Sequence, residues 1–118
     1  MKLSGTAKKL TVIVGINEHI YQRPLYEAII FAAKKYKLTG ATAYKGIVSY
    51  GADSMAHNSK VFALADEPPV IVELVDVPER IEDFAQIVSK LMDKAHSGGI
   101  VFTEDVEVVR YSRPPTQS

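Results

Sequence analysis

The residues whose types could do chemistry in this chain are three histidines, a Gly-Gly pair and a few cations. The histidines are His19, His57 and His96. Neutral imidazole is a common metal ligand, and three converging on one edge of a fold would suit zinc or copper. None stands at a metal-site spacing to another. The chain has no cysteine, so thiolate zinc sites, thiol catalysis and disulfides are excluded. Gly98 and Gly99 can turn backbone N–H groups toward an anion. A helix C-cap and turn is the competing use of the same pair. Lys45, Lys60, Arg110 and Arg113 could meet a phosphate, or stand as solvated residues of a strand face. Ser, His and Asp occur together in 49–59. With no G-x-S-x-G elbow and no carboxylate pair placed by a rigid element, they do not make a catalytic constellation. Neither G-x-x-x-x-G-K-[ST] nor G-x-G-x-x-G occurs, so P-loop and Rossmann sites are not supported.

The elements that must position these residues come in two halves of like pattern. LTVIVGI (10–16) is a β-branched run ending in glycine, a strand. From Pro24 the period changes, with Leu25, Ala28, Ile29, Ala32, Ala33 and Tyr36 at helical spacing. Lys34, Lys35 and Lys37 suit the negative end of that helix, and Gly40 breaks it. ATAYKGIVSYG (41–51) reads as a second strand. VIVELVDV (70–77) is a third, and Pro78 opens a helix with Ile81, Phe84, Ala85, Val88, Leu91 and Met92 on its stripe. HSGG (96–99) ends that helix, and IVFTEDVEVVRY (100–111) is a last strand, bent near Glu104 and Asp105. Two interleaved β-α-β units predict an α+β, ferredoxin-like βαββαβ sandwich. The stretch 49–69 is long for a loop, and VFAL (61–64) within it is a candidate extended segment.

In that topology one sheet edge collects the end of strand one, the start of helix one, the segment after Tyr50, and HSGG. All three histidines and Gly15, Gly51, Gly98 and Gly99 fall there. A site is expected at that edge. The two helices cover one face of the sheet only, leaving Ile71, Val75, Val106, Val108 and Val109 to supply apolar area that needs cover. Another copy of the chain is the expected cover.

At 118 residues, 47% hydrophobic and 24% charged, the chain reads as one domain over 1–118 with a core near 8–111 and a flexible tail over 112–118. No apolar run approaches the roughly 20 residues that span a bilayer, and the start, MKLSGTAKKL, has no secretory pattern. A cytoplasmic protein without membrane insertion is expected. Fourteen basic and fourteen acidic residues cancel, which argues against non-specific nucleic-acid binding. Residues 1–59 carry eight Lys/Arg against three Asp/Glu (+5), and 60–118 carry six against eleven (−5). Either helix-end charge or complementary faces between copies accounts for that asymmetry.

The run GATAYKGIVSYG (40–51), His57, VFALADEPPVIVELVDVPERIEDF (61–84) and GGIVFTEDVEVVRY (98–111) resembles the small PII-like proteins of uncharacterised function, a branch beside the nitrogen-signalling PII regulators. Ser49-Tyr50-Gly51 departs from the Gly-Phe-Gly-like ending more usual there. The resemblance implies a homotrimer and a loop after strand two that contacts partners. It also implies a non-catalytic role in which an adenine nucleotide binds between subunits to control a membrane transporter, channel or enzyme. By position, Gly98 and Gly99 match the phosphate-cradling loop and Arg110 a basic residue that reaches the phosphates. Gly99 stands where the PII regulators have a phosphate-binding lysine, and Ser112 where they have a second basic residue, with Arg113 next. The expected ligand contacts are Lys45, Gly46, Gly51, Gly98, Gly99 and Arg110. A divalent-metal trimer resembling the CutA proteins, using His19, His57 and His96, is the alternative.

Overall fold

The computed structural model describes residues 5–46 and 68–112. Strand β1 (Gly5–Gly15) buries Leu10, Val12 and Val14 on one face and carries Ala7, Lys9, Thr11 and Ile13 on the other. It begins earlier than hydropathy predicts because its two lysines find partners. Lys8 Nζ lies 2.9 Å from Asp105 and 3.9 Å from Glu82, and Lys9 Nζ lies 3.2 Å from Glu73. A small hairpin follows, β2 (His19–Ile20) and β3 (Arg23–Pro24). Its two-residue turn is Tyr21–Gln22, both in left-handed backbone with φ of 50° and 64°. Such turns usually announce themselves through Asn-Gly or Asp-Gly, and this one does not.

Helix α1 (Leu25–Lys35) starts after Pro24, whose φ of −60° leads into the first turn, and buries Leu25, Ile29 and Ala33. It ends before the expected breaker Gly40. Lys37 takes the left-handed position at φ 63°, and the Leu38 N–H reaches back to the Ala33 carbonyl. Strand β4 (Thr42–Lys45) occupies the first part of the expected 41–51 run, whose residues 47–51 lie outside the described ones, as does 61–64. Strand β5 (Pro69–Asp76) buries Val70, Val72 and Leu74. Helix α2 (Pro78–Ala95) presents Ile81, Phe84, Val88 and Met92 to the same core. Fully burying residues of this size contributes roughly 2 kcal/mol each.

Strand β6 (Ile100–Val108) corrects one expectation, since it is shorter than 100–111; among the described residues its last partner is Gly5, opposite Val108. Glu104 and Asp105 sit opposite Lys9 and Lys8 in continuous register. The sheet order is β4-β5-β1-β6 with every neighbouring pair antiparallel. This is the ferredoxin-like βαββαβ sandwich, with the two described helices on the face that buries Leu10, Val12 and Val14.

A fully buried carboxylate fixes how α1 returns to the sheet. Asp76 accepts the Thr39 N–H at 3.1 Å and the Val77 N–H at 2.7 Å, at the start of α2. Arg80, one turn on, lies 3.8 Å from that carboxylate. Its guanidinium donates to the Tyr36 and Lys37 carbonyls and stacks 4.6 Å from the Tyr36 ring centre. The carbonyls just past the end of α1 are thereby satisfied by a cation anchored on α2.

Among the described residues, the other face of the sheet carries no helix. Its first row, read across four strands, is Tyr44, Ile71, Ile13 and Ile100. Phe102, Val106 and Val108 continue it along β6, and Val75 along β5. Ile100 is 52% and Phe102 40% exposed. Of Val108 and Val109, between which the sequence left this face open, Val108 takes it opposite Gly5, and Val109 lies beyond the strand and is 93% exposed. The polar residues among these satisfy one another: Tyr44 donates to Glu73 at 2.8 Å and Lys9 sits on the same carboxylate.

The Tyr44 hydroxyl and then the Lys9 ammonium hold the Glu73 carboxyl below its ordinary range. A native value below the unfolded one stabilises the fold above the unfolded value of about 4.3, and the contribution is lost as pH falls through the native value. Stability should therefore decline with acid below about pH 5, and more steeply in the wild type than in Glu73→Gln. Chemical denaturation from about pH 6 to 3 reads this. Parallel curves for the two proteins would remove Glu73 from the account.

Candidate functional site

The end of the sheet where β1 stops and β5 and β6 start is where separate pieces of sequence converge. The Ile16 N–H donates to the Pro68 carbonyl at 3.0 Å and the Gly46 N–H to the Pro69 carbonyl at 2.8 Å. Lys45 pairs with Val70, and Val70 with Val14, so Lys45, Gly46 and the Gly98–Gly99 turn share this end. They do not touch. β4 and β6 are opposite edge strands, three interstrand spacings or roughly 14 Å apart.

The Gly98–Gly99 pair does not cap α2. His96 does that, in left-handed backbone at φ 53°, with the Ser97 N–H on the Met92 carbonyl at 3.0 Å. Gly99 has a different task. Its φ is 139°, and a β-carbon there would strike the Ile13 carbonyl oxygen and come within 3.2 Å of Val14. Gly46 is a second close approach, since a β-carbon there would lie 2.6 Å from Pro69 Cγ. Gly99 lets backbone pass backbone, and Gly46 lets the chain pass the Pro69 ring, where a side chain has no room.

Arg110 stands elsewhere. β6 carries the chain from Ile100, opposite Ile13, to Val108, opposite Gly5. Eight steps at ~3.4 Å put Val108 roughly 27 Å from Ile100, and Arg110 follows two residues beyond that far end. Its guanidinium donates to Ser112 Oγ at 3.2 Å and is exposed. One copy of the chain does not bring Arg110 to the glycine turn.

The start of α1 at this edge is already used, because the Leu25 N–H donates to the Glu18 carbonyl at 2.8 Å. His19 is exposed, with Nδ1 2.6 Å from the Asn17 carbonyl, which leaves Nε2 as its acceptor nitrogen. His57 and Gly51 lie outside the described residues. Among the described residues no three His, Asp or Glu side chains gather as metal ligands do. No helix among them is long and apolar enough to cross a membrane.

Hydropathy did not anticipate a cluster on the opposite layer, formed by Tyr21, Arg23, Phe31 and Lys35. One signal for it is legible. Phe31 is a large apolar residue off the buried stripe of α1, and it is 50% exposed.

Residues 7–108 match the family DUF190, described as uncharacterized ACR, COG1993. A UPF0166 protein of Aquifex aeolicus is 31% identical over 102 residues, covering 86% of this chain and 92% of its own length. The UPF0166 protein MJ1524 of Methanocaldococcus jannaschii is 30% identical over 104 residues, covering 88% and 93%. Among solved structures, CPII of Thiomonas intermedia K12 bound to ADP and bicarbonate superposes with a TM-score of 0.63 at 17% identity, covering 89% of this chain and 90% of that one. The apo form of CPII, a nitrogen regulatory PII-like protein, gives 0.59 at 19% identity, covering 90% and 95%. At that identity the likeness speaks for the fold alone. The match over nearly the whole chain leads to one assignment: this chain belongs to the DUF190 family.

Proposed function

We propose that this protein is a non-catalytic PII-like regulator, a homotrimer that binds an anionic effector, an adenine nucleotide, in clefts between subunits. The observation that carries the reading is the separation of its parts. The glycine turn and the cation Arg110 lie at opposite ends of one sheet, so an anion touching both must lie between two copies. The uncovered apolar face supports association of copies. CPII, which shares the fold, has been crystallised with ADP, AMP and bicarbonate. In this reading residues 50–60, outside the described ones, contact a regulated transporter, channel or enzyme.

Calorimetry with ATP, ADP, AMP, cyclic nucleotides and bicarbonate tests the proposal. At least one adenine nucleotide should bind. Arg110→Ala should weaken it by about 10- to 100-fold, the worth of a charge-assisted hydrogen bond to phosphate. No binding across the panel, or binding indifferent to Arg110→Ala, would overturn the nucleotide assignment.

A further inference from the structure

The outward shoulders of α1 and α2, with the β2–β3 turn, enclose an open groove of about 620 Å³. Its floor is Ala28 and Ala32 from α1 with Ile87 and Leu91 from α2. Tyr21 and Phe31 stand on its rim, 75% and 50% exposed. Exposed aromatics beside an apolar floor are the composition of interaction sites. Tyr21 is also held there at a cost. Left-handed backbone is unfavourable by roughly 1–2 kcal/mol per non-glycine residue, and both turn residues adopt it.

The charged residues that line the groove, Arg23 and Lys35, are cations; Asp83 accepts the hydroxyl of Tyr36, another lining residue, at 3.3 Å. Arg23 and Lys35 flank the Phe31 ring at 5.3 and 5.7 Å, and Lys94 lies 5.9 Å from the Tyr21 ring centre. None of the three cations is in an ion pair among the described residues. Among the described residues no carboxylate lines the groove. From Ala28 to Lys35 on α1, and from Ile87 to Lys94 on α2, the walls run seven residues. At ~1.5 Å per residue that is roughly 10 Å, two turns of a helix.

We propose that this groove docks an acidic amphipathic helix of a partner protein. Two apolar side chains at i and i+3 or i+4 would enter the floor, and Asp or Glu on its flanks would meet Arg23, Lys35 and Lys94. The site goes beyond the nucleotide reading and does not depend on it. It lies on the layer opposite the uncovered sheet face, so it stays open whether or not copies assemble through that face.

The test is selection of helical peptides displayed on phage against the full-length protein, with counter-selection on the double variant Phe31→Ala, Lys35→Glu. Both substituted residues are exposed, and a thermal melt matching the wild type verifies the fold. Enriched peptides should carry the paired apolar spacing and net negative charge. They should bind the wild type at least about tenfold more tightly than the double variant, and likewise more tightly than Arg23→Glu. NMR titration should shift the amides of Ala28, Ala32, Ile87 and Leu91. Failure to enrich any peptide, enrichment of basic or uncharged ones, or equal binding to the variants would overturn the proposal. Nucleotide calorimetry on the same samples is a separate readout, so the two readings fail separately.

Discussion

Replacing Gly99 with alanine is expected to destabilise the protein by roughly 3 kcal/mol or more, or to prevent folding. Two penalties add. Its φ of 139° lies in a region that residues with a β-carbon scarcely visit, worth roughly 1–3 kcal/mol. The new methyl group would also meet the Ile13 carbonyl oxygen, on the central strand β1, rather than the far end of a flexible side chain. Relief requires β6 to move away from β1, and that pairing runs over nine residue pairs from Gly5↔Val108 to Ile13↔Ile100. Urea denaturation measures the loss. Gly98→Ala is the companion variant, since Gly98 is not in left-handed backbone. A Gly99→Ala protein as stable as the wild type would show that the turn does not hold the close approach described. Because Gly99 is structurally committed, Gly98 and Arg110 are the better positions for testing anion binding.

A charge placed on the uncovered sheet face should dissociate the protein. Phe102 sits opposite Thr11 on that face, 40% exposed in the single chain, so Phe102→Asp should cost an isolated subunit little. Between subunits the same carboxylate would be stripped of water without a partner, a penalty of about 3–5 kcal/mol. Association should weaken by roughly two to four orders of magnitude. Sedimentation velocity over a concentration series should show a trimer for the wild type and smaller species for the variant. Assembly as tight in Phe102→Asp as in the wild type would place the interface elsewhere.

The fold was legible because each segment carried one dominant period. Val70, Val72 and Leu74 alternate, while Ile81, Phe84, Val88 and Met92 recur at helical spacing, and both sets are buried as that patterning requires. Boundaries were less legible where charge or chirality overrode hydropathy. Lys8 and Lys9 read as a polar flank, yet cross-strand carboxylates draw them into β1. Gly40 and Gly98–Gly99 were the obvious helix terminators, but Lys37 and His96 take the left-handed positions. The expected site was legible only as an edge. Sequence order brings Lys45, Gly46 and the glycine turn to one end of the sheet, but pairing register alone shows that Arg110 lies at the other. The groove residues were illegible because Tyr21 and Arg23 belong to a hairpin with no glycine in its turn.

Native mass spectrometry of the full-length protein with and without ADP measures subunit number and ligand number in one spectrum. A subunit of 13.0 kDa should appear as a trimer of about three times that mass. Added ADP should shift it by up to three nucleotides, one per cleft, and the adducts should be lost in Arg110→Ala while the trimer persists. A monomer at micromolar concentration that takes up no ADP would contradict both the assembly and the inter-subunit site.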